Sequence, residues 1–407
     1  MPPTRYGVPV WPTLTPRGRR PRYRSLRGQR ECEVVIVGGG FTGCATAYAF
    51  SASGVSVMLL EADGLGLGAT ACGSGLVTHR PRTEFLALER ARGRRDARQI
   101  WEMTRRAALD LAATARRLGL KCQLEMSDAI HVATREDQVF PLRRELRARR
   151  SAGLEGVWLS AERVRQATNI AASGGLRTRG QSQLDPYRLC LGLAAAADKR
   201  GAIIHERTRV SRIRTGPGGV DVTTDAGRVR SQRVIVTTGS PTTLFRPLAR
   251  HVRDTQTYMV LTPPLGAKIR KELGQRDTVL SDRDDPAHYL RWTRDNRMLF
   301  GGGDQPQPAR RGEDKVLVQR TGQLMYELST LYPVVSGIRP ELAWAAPIKT
   351  TSDGVLIAGP HRQFPRHLFV FGTGHGGIAG SFLASRLLLR HHLGKPGKGD
   401  ELFGFTR

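Results

Sequence analysis

The sequence is short of several things at once. Only 5 of its 407 residues are cysteine (Cys32, Cys44, Cys72, Cys122 and Cys190), and none stands in a CxxC pair or at metal-ligand spacing. An odd, scattered set argues against a disulfide framework and suits a reducing cytoplasm. No apolar run approaches the roughly 18 residues of a membrane span. The start, MPPTRYGVPVWPTLTPRGRRPRYRSLRGQR, has basic residues but no apolar stretch ahead of a cleavage site, so a secretory signal is not expected. The next apolar run after Arg19-Arg20 is the strand-like VVIV, which argues against a twin-arginine signal. There is no HExxH, no close acid/histidine cluster, no Ser–His–Asp constellation and no internal repeat. These absences exclude the common hydrolytic metal and triad designs and repeat arrays.

Acidic residues are scarce as well. Asp and Glu number 36 against 64 Lys and Arg, for a net charge of +28. One reading is a nucleic-acid or membrane-surface partner. The other is a chain whose surface is solvated by guanidiniums, because arginine is spread throughout, as in RARGRRDARQ, LRRELRARR and RTRVSRIR. Residues 1–30, rich in Pro, Arg and Gly, are expected to form a basic, extended tail that wraps the surface or is partly disordered. The remaining composition is globular, with 39% hydrophobic and 25% charged residues, enough for one large core or two ordinary ones.

The densest signal is VVIVGGGFTG, Val34 to Gly43. Bare backbone is entropically costly, so a glycine cluster after a strand implies that something needs it. ECEVVIVGGG reads as a buried strand, FTGCATAYAFSASG as a helix stopped at Gly54, and VSVMLLEAD as a second strand. Gly38, Gly40 and Gly43 stand in G-x-G-x-x-G register: a tight turn, a close phosphate approach, and close helix–sheet packing. Phe41 and Thr42 open the helix, whose free N–H groups and dipole suit a diphosphate. Glu61 ends the second strand, followed by Ala62, at the distance where an acid takes ribose hydroxyls. A carboxylate there disfavours a 2′-phosphate, so FAD or NAD fits better than NADP.

Beyond this unit the chain resembles the D-amino-acid oxidase superfamily of flavoproteins, which includes glycine, sarcosine and γ-glutamylputrescine oxidases. Four segments carry the resemblance. LEADGLGLGATACGSGLV is similar to the family's second Gly-rich stretch, and implies that Gly68, Ala69 and Thr70 run along the flavin. WAAPIKTTSDGVLIAGP followed by HLFVFGTGHGGIAGSFLASRLLL is similar to the family's C-terminal end. It implies that Gly374, His375, Gly376, Gly377 and Ile378 border the flavin N1–C2=O edge, where a helix N-terminus steadies the charge of reduction. QLDPYRLCLGLAAAADKRGAIIHERTRVSRI with QRVIVTTGSP implies adenine contact at Val210 and a cofactor border at Thr238 and Gly239. PLARHVRDTQTYMVLTPPL with AHYLRWTRDNRMLFGGG looks closest to the γ-glutamylputrescine oxidase branch.

The resemblance implies an α/β chain, α+β overall. A discontinuous Rossmann-like FAD domain (31–80, 160–245 and 340–407) would carry a substrate domain on an antiparallel sheet (81–159 and 246–339). The implied reaction oxidises a C–N bond of an amine or amino acid by hydride transfer to flavin N5, giving an imine that hydrolyses. An electron acceptor, oxygen or a carrier, would follow. No cysteine stands near Ala346, where some relatives attach FAD covalently, so the cofactor is expected to be free. Cys72 is the alternative attachment point. Ile378 stands where sarcosine oxidases carry a lysine, which leaves the acceptor open. Candidates for the chemistry are Tyr258, Tyr289 and Arg291 on strands, His79 and Arg80 after the second Gly-rich stretch, and His375. Tyr289 and Arg291 share one strand face, with His288 and Leu290 on the other, and a phenol with a guanidinium could hold a carboxylate. Lys349 faces the flavin edge or solvent; Trp344 is core or pocket lining. The rival functions are a flavoenzyme acting on a modified tRNA base and a flavin-binding assembly protein with little turnover.

Overall fold

The computed structural model describes residues 3–16, 18, 20–284, 287–374 and 377–407. Val34, Val35 and Ile36 are fully buried, and that strand is covered on both faces. This is why it reads as an unbroken apolar run. It forms the C-terminal part of Gly28–Val37, the centre of a largely parallel sheet. The order is Ile357–His361, Phe364–Phe371, Gly227–Gly239, Gly28–Val37, Val57–Leu60, Ile203–His205. All neighbours are parallel except the first pair. After Gly28–Val37 the chain pairs first with Val57–Leu60 on one side and later with Gly227–Gly239 on the other. The strand order therefore reverses at its C-terminal end, the place where open α/β sheets bind ligands.

Alternate residues of that strand feed two cores. Val34 and Ile36 pack with the helices Phe41–Ser51, Pro186–Asp198 and Gly377–His392. Val35 and Val37 pack with Phe245, Phe369 and Phe371 under the meander Val210–Gly216 and Gly219–Thr224. Two helices follow one another here, Phe85–Arg92 and Arg94–Arg117. Gly93 separates them at φ +77°, a left-handed backbone that other residues resist.

A second, mostly antiparallel sheet runs in the order Arg5–Tyr6, Leu342–Thr350, Arg253–Leu261, Met298–Pro306, Tyr289–Trp292, Thr278–Ser281, Glu125–Ala133, Gly174–Gln183, Leu76–Val77. The helix Glu313–Leu331 and a separate core cover one of its faces. Three of these strands (Leu76–Val77, Gly174–Gln183 and Leu342–Thr350) fall in ranges that the sequence reading gives to the cofactor unit. The two units thus exchange strands more often than the expected boundaries allow.

The described N-terminal residues are anchored on the rest of the chain. Arg5–Tyr6 pairs with Leu342–Ala343 as a parallel edge strand. The short helix Val10–Thr13 buries Trp11 to 1% exposure, and Leu26 is equally buried. Two buried hydrophobic side chains, Trp11 and Leu26, rather than the surrounding Pro and Arg, anchor this segment. Among the described residues no helix is long and apolar enough to cross a membrane.

Candidate cofactor and active site

The glycine turn has the geometry its spacing demands. Gly38 sits at φ +108°, and a Cβ on Gly43 would lie 1.9 Å from the Gly38 carbonyl oxygen. The helix Phe41–Ser51 thus leaves the sheet at a distance only glycine permits. Gly40 is the residue before the helix and has ordinary extended backbone. A Cβ there would meet only Thr70 Oγ1, at 3.5 Å, so open space lies beside the turn.

Glu61 closes the turn from the neighbouring strand. Its Oε2 accepts from the Gly39 N–H at 2.6 Å and its Oε1 from the Asp63 N–H at 2.8 Å. Both are charge-assisted bonds that fix the carboxylate at the strand end. The second Gly-rich stretch folds back against the same helix: Gly66 N–H donates to the Gly39 carbonyl, and Phe41 N–H to Thr70 Oγ1, both at 2.9 Å. Thr237 Oγ1 donates to the Gly38 carbonyl at 2.9 Å from the third strand.

These segments enclose a cavity of about 700 Å³, within the roughly 300–1,000 Å³ usual for cofactor sites. Gly38, Gly40, Phe41, Thr42, Glu61, Ala62, Gly68, Ala69 and Thr70 line it. So do Val210, Thr238, Gly239, Gly374, Gly377 and Ile378. Gly43 does not line the cavity; it holds the helix against the turn. His375 and Gly376 lie outside the described residues. The N-termini of two long helices, Phe41–Ser51 and Gly377–His392, both open onto the cavity, and Thr42 Oγ1 donates to Ser381 Oγ at 2.9 Å between them. Gly374 N–H donates to the Lys349 carbonyl at 2.9 Å, tying the C-terminal turn to the second sheet. A long cavity with a glycine cradle, an acid at the strand end and two helix N-termini fits an adenine dinucleotide with an anionic diphosphate.

A family model described as FAD dependent oxidoreductase matches residues 33–390. The chain belongs to this family of FAD-dependent oxidoreductases. It is 24% identical over 372 residues to the probable oxidoreductase OrdL of Haemophilus influenzae, covering 88% of this chain and 83% of that one. It is 25% identical over 374 residues to gamma-glutamylputrescine oxidoreductase of Escherichia coli, covering 90% and 84%. The fold is similar to that of glycine oxidase from Geobacillus kaustophilus, with a TM-score of 0.75, 22% identity, and coverage of 93% and 99%.

The FAD-dependent oxidoreductase departs from the sequence expectations at the catalytic candidates. Tyr258 faces away from the cavity. It lies in the core beneath the helix Glu313–Leu331, with its hydroxyl accepting from Gln305 Nε2 at 2.6 Å and Arg320 over its ring. Its strand neighbours Thr257 and Met259 line the cavity instead. Strand alternation would have named them once the helix-covered face was known.

Arg291 is 3% exposed, and NH1 donates to the Ser74 and Leu184 carbonyls at 3.0 and 2.9 Å. Its donors are committed to backbone, so it is not placed to grip a substrate carboxylate. Burial draws its guanidinium down to about 10. Tyr289 does share that face, lying across Gly301 with its phenol beside Thr257. Burial, and then Asp304, holds the phenol well above its ordinary range.

His79 and Arg80 do not line the cavity. His79 is buried beside Gly180, and its Nδ1 has no hydrogen-bond partner among the described residues. Burial, and then Arg105, lowers its pKa to about 4. Arg80 borders a small annex next to the cavity with Thr373 and Gly377.

Ala346 and Ile348 line the cavity from the second sheet, and Trp344 is core. Lys349 also lines the cavity, with its Nζ paired to the cross-strand Asp254 at 3.0 Å. Cys72 is not among the lining residues, and burial raises its thiol to about 11. It therefore lacks the thiolate character an attachment would need.

Proposed function

We propose that this FAD-dependent oxidoreductase oxidises a C–N bond of a small amine or amino acid. The observation that carries the proposal is the continuity of one cavity. It runs from the glycine turn and Glu61 to a wall of the second sheet formed by Thr257, Met259, Ala346 and Ile348. Curated relatives over most of the chain include a gamma-glutamylputrescine oxidoreductase and a glycine oxidase, which supports an amine or amino-acid substrate. FAD bound there would take the hydride from the carbon next to nitrogen, leaving an imine to hydrolyse.

The chain's own part is to bind, orient and exclude water. The amides of Gly40 and Thr42, at the start of the first helix and on the cavity wall, would hold the diphosphate, and Glu61 the adenosine ribose. Gly68 to Thr70 present backbone and short side chains where a flat ring can press close. The second Gly-rich stretch and the C-terminal turn flank the ring end. Met259 and Ile348 make the opposite wall apolar, which strengthens any charge interaction made there. The polar side chains on this wall are Thr257, whose hydroxyl donates to the Gly302 carbonyl at 3.1 Å, and Lys349. Non-covalent attachment and a cytoplasmic location belong to the same reading.

The test is anaerobic bleaching of the bound flavin by a panel of amines and amino acids. Reduction by at least one member is the expected result. A flavin that none of them bleaches would favour a binding or assembly role with little turnover.

A further inference from the structure

The N-terminal segment is the part of the chain that the proposed chemistry does not use, and the structure ties it to both ends of the cofactor cavity. Three successive carbonyl oxygens of the second Gly-rich stretch are each held by a side-chain N–H. Trp344 Nε1 donates to Cys72 at 3.0 Å, Trp11 Nε1 to Gly73 at 2.6 Å, and Arg291 NH1 to Ser74 at 3.0 Å. Arg291 also lies over the Trp11 indole, 5.3 Å from its centroid. Gly73 and Ser74 line the cavity. Trp11, brought from 62 residues away, therefore holds the middle of a loop that has little side-chain packing of its own.

The same segment then crosses to the adenosine end. Tyr23 N–H donates to Glu206 Oε2 at 3.1 Å, while Glu206 Oε1 accepts from the Leu65 N–H at 2.8 Å. Leu26 N–H donates to Thr208 Oγ1 at 3.0 Å, and Thr208 N–H to the Glu61 carbonyl at 2.8 Å. Thr208 lines the cavity. We propose that residues 3–16 and 20–27 are a cofactor-retention belt: Trp11 is a positioning residue acting through Gly73, and the Tyr23–Leu26 stretch positions Glu206 and Thr208. The inference rests on FAD occupying the cavity. Coupling of this kind is reciprocal. What docks the belt must tighten FAD, and FAD must hold the belt down.

Reciprocity supplies two readouts on the full-length protein. In the first, wild-type apoprotein and holoprotein are treated briefly with trypsin, and cleavage is mapped by mass at Arg22 and Arg24, both exposed. FAD is expected to slow cleavage there about tenfold. In the second, the indole N–H is removed by Trp11→Phe and FAD is titrated into the apoprotein by flavin fluorescence. The dissociation constant is expected to rise about tenfold, with the visible flavin bands shifted, in an apoprotein that still folds although its melting temperature drops. Equal cleavage rates with and without FAD would overturn the proposal. So would a Trp11→Phe dissociation constant within twofold of wild type. If Trp11→Phe does not fold, the wild-type cleavage comparison decides alone. Wild-type apoprotein that takes up no FAD at all would instead refute the cofactor assignment beneath it.

Discussion

The two halves of the cavity are built from different materials. The dinucleotide half is backbone: Gly38, Gly40, the first amides of the helix and the Gly68–Thr70 stretch, with one carboxylate, Glu61. The half proposed for the substrate is side chain: Thr257, Met259, Ile348 and, one layer back, Tyr289. A backbone site imposes its demands as glycine, at fixed intervals, in a strand–turn–helix frame. A side-chain site imposes only that residues from distant strands point the same way. The first kind of constraint leaves a pattern along the chain, and the second does not.

The sharpest way to break the backbone half is at Gly43. Valine there would drive a Cβ into the Gly38 carbonyl oxygen, 1.9 Å away. The expected cost is about 4 kcal/mol or more, above the usual range for overpacking because backbone must move. It would be measured by denaturant unfolding, and a variant as stable as wild type would contradict the close helix–sheet contact.

Arg291 tests the boundary between the halves. Arg291→Met strands the Ser74 and Leu184 carbonyls, so stability should fall by about 3 kcal/mol. Whatever holoprotein survives should keep its KM. A raised KM with unchanged stability would return Arg291 to the substrate.

His79 gives the pH arm of the comparison. Its folded pKa of about 4 lies below the ordinary value of 6.5. The unfolded chain therefore binds the proton first. The contribution to stability is complete above pH 6.5 and is lost as pH falls towards 4. At about 1.4 kcal/mol per pKa unit this amounts to roughly 3.5 kcal/mol at most. Thermal melts of His79→Gln should lose less stability over that window than wild type, and parallel curves would count against a buried neutral imidazole.

Within the side-chain half, Thr257→Val and Met259→Ala should each change kcat/KM by about tenfold, or about 1.4 kcal/mol, with flavin content unchanged. Tyr258→Phe, one position along the same strand, should stay within twofold. The reverse ranking would mean that the strand presents its other face to the substrate.

This contrast also explains what was legible in the sequence. VVIVGGGFTG announces the central strand, the turn and the helix because each residue type meets a local requirement: burial on both faces, φ +108° at Gly38, no room at Gly43. Glu61 follows from strand length. The family resemblance extends the reading to the Gly68 and Gly374 stretches. Tyr258 and Arg291 misled because strand alternation gives a face but not its neighbours. Only the long-range placement of the helix Glu313–Leu331 and of the Ser74 loop decides which face is core. In residues 1–30 Pro and Arg dominate the composition, so the sequence did not single out Trp11 and Leu26 as its buried anchors.

The central claim is that bare amides at the first βα turn receive the FAD diphosphate. It is tested most directly by the FAD dissociation constant of Gly40→Val, measured with the melting temperature of its apoprotein. Gly40 has backbone angles any residue adopts and free space beside it, so the apoprotein should melt near wild type while FAD affinity falls at least a hundredfold. A Gly40→Val protein that folds and still holds FAD as tightly as wild type would contradict the account.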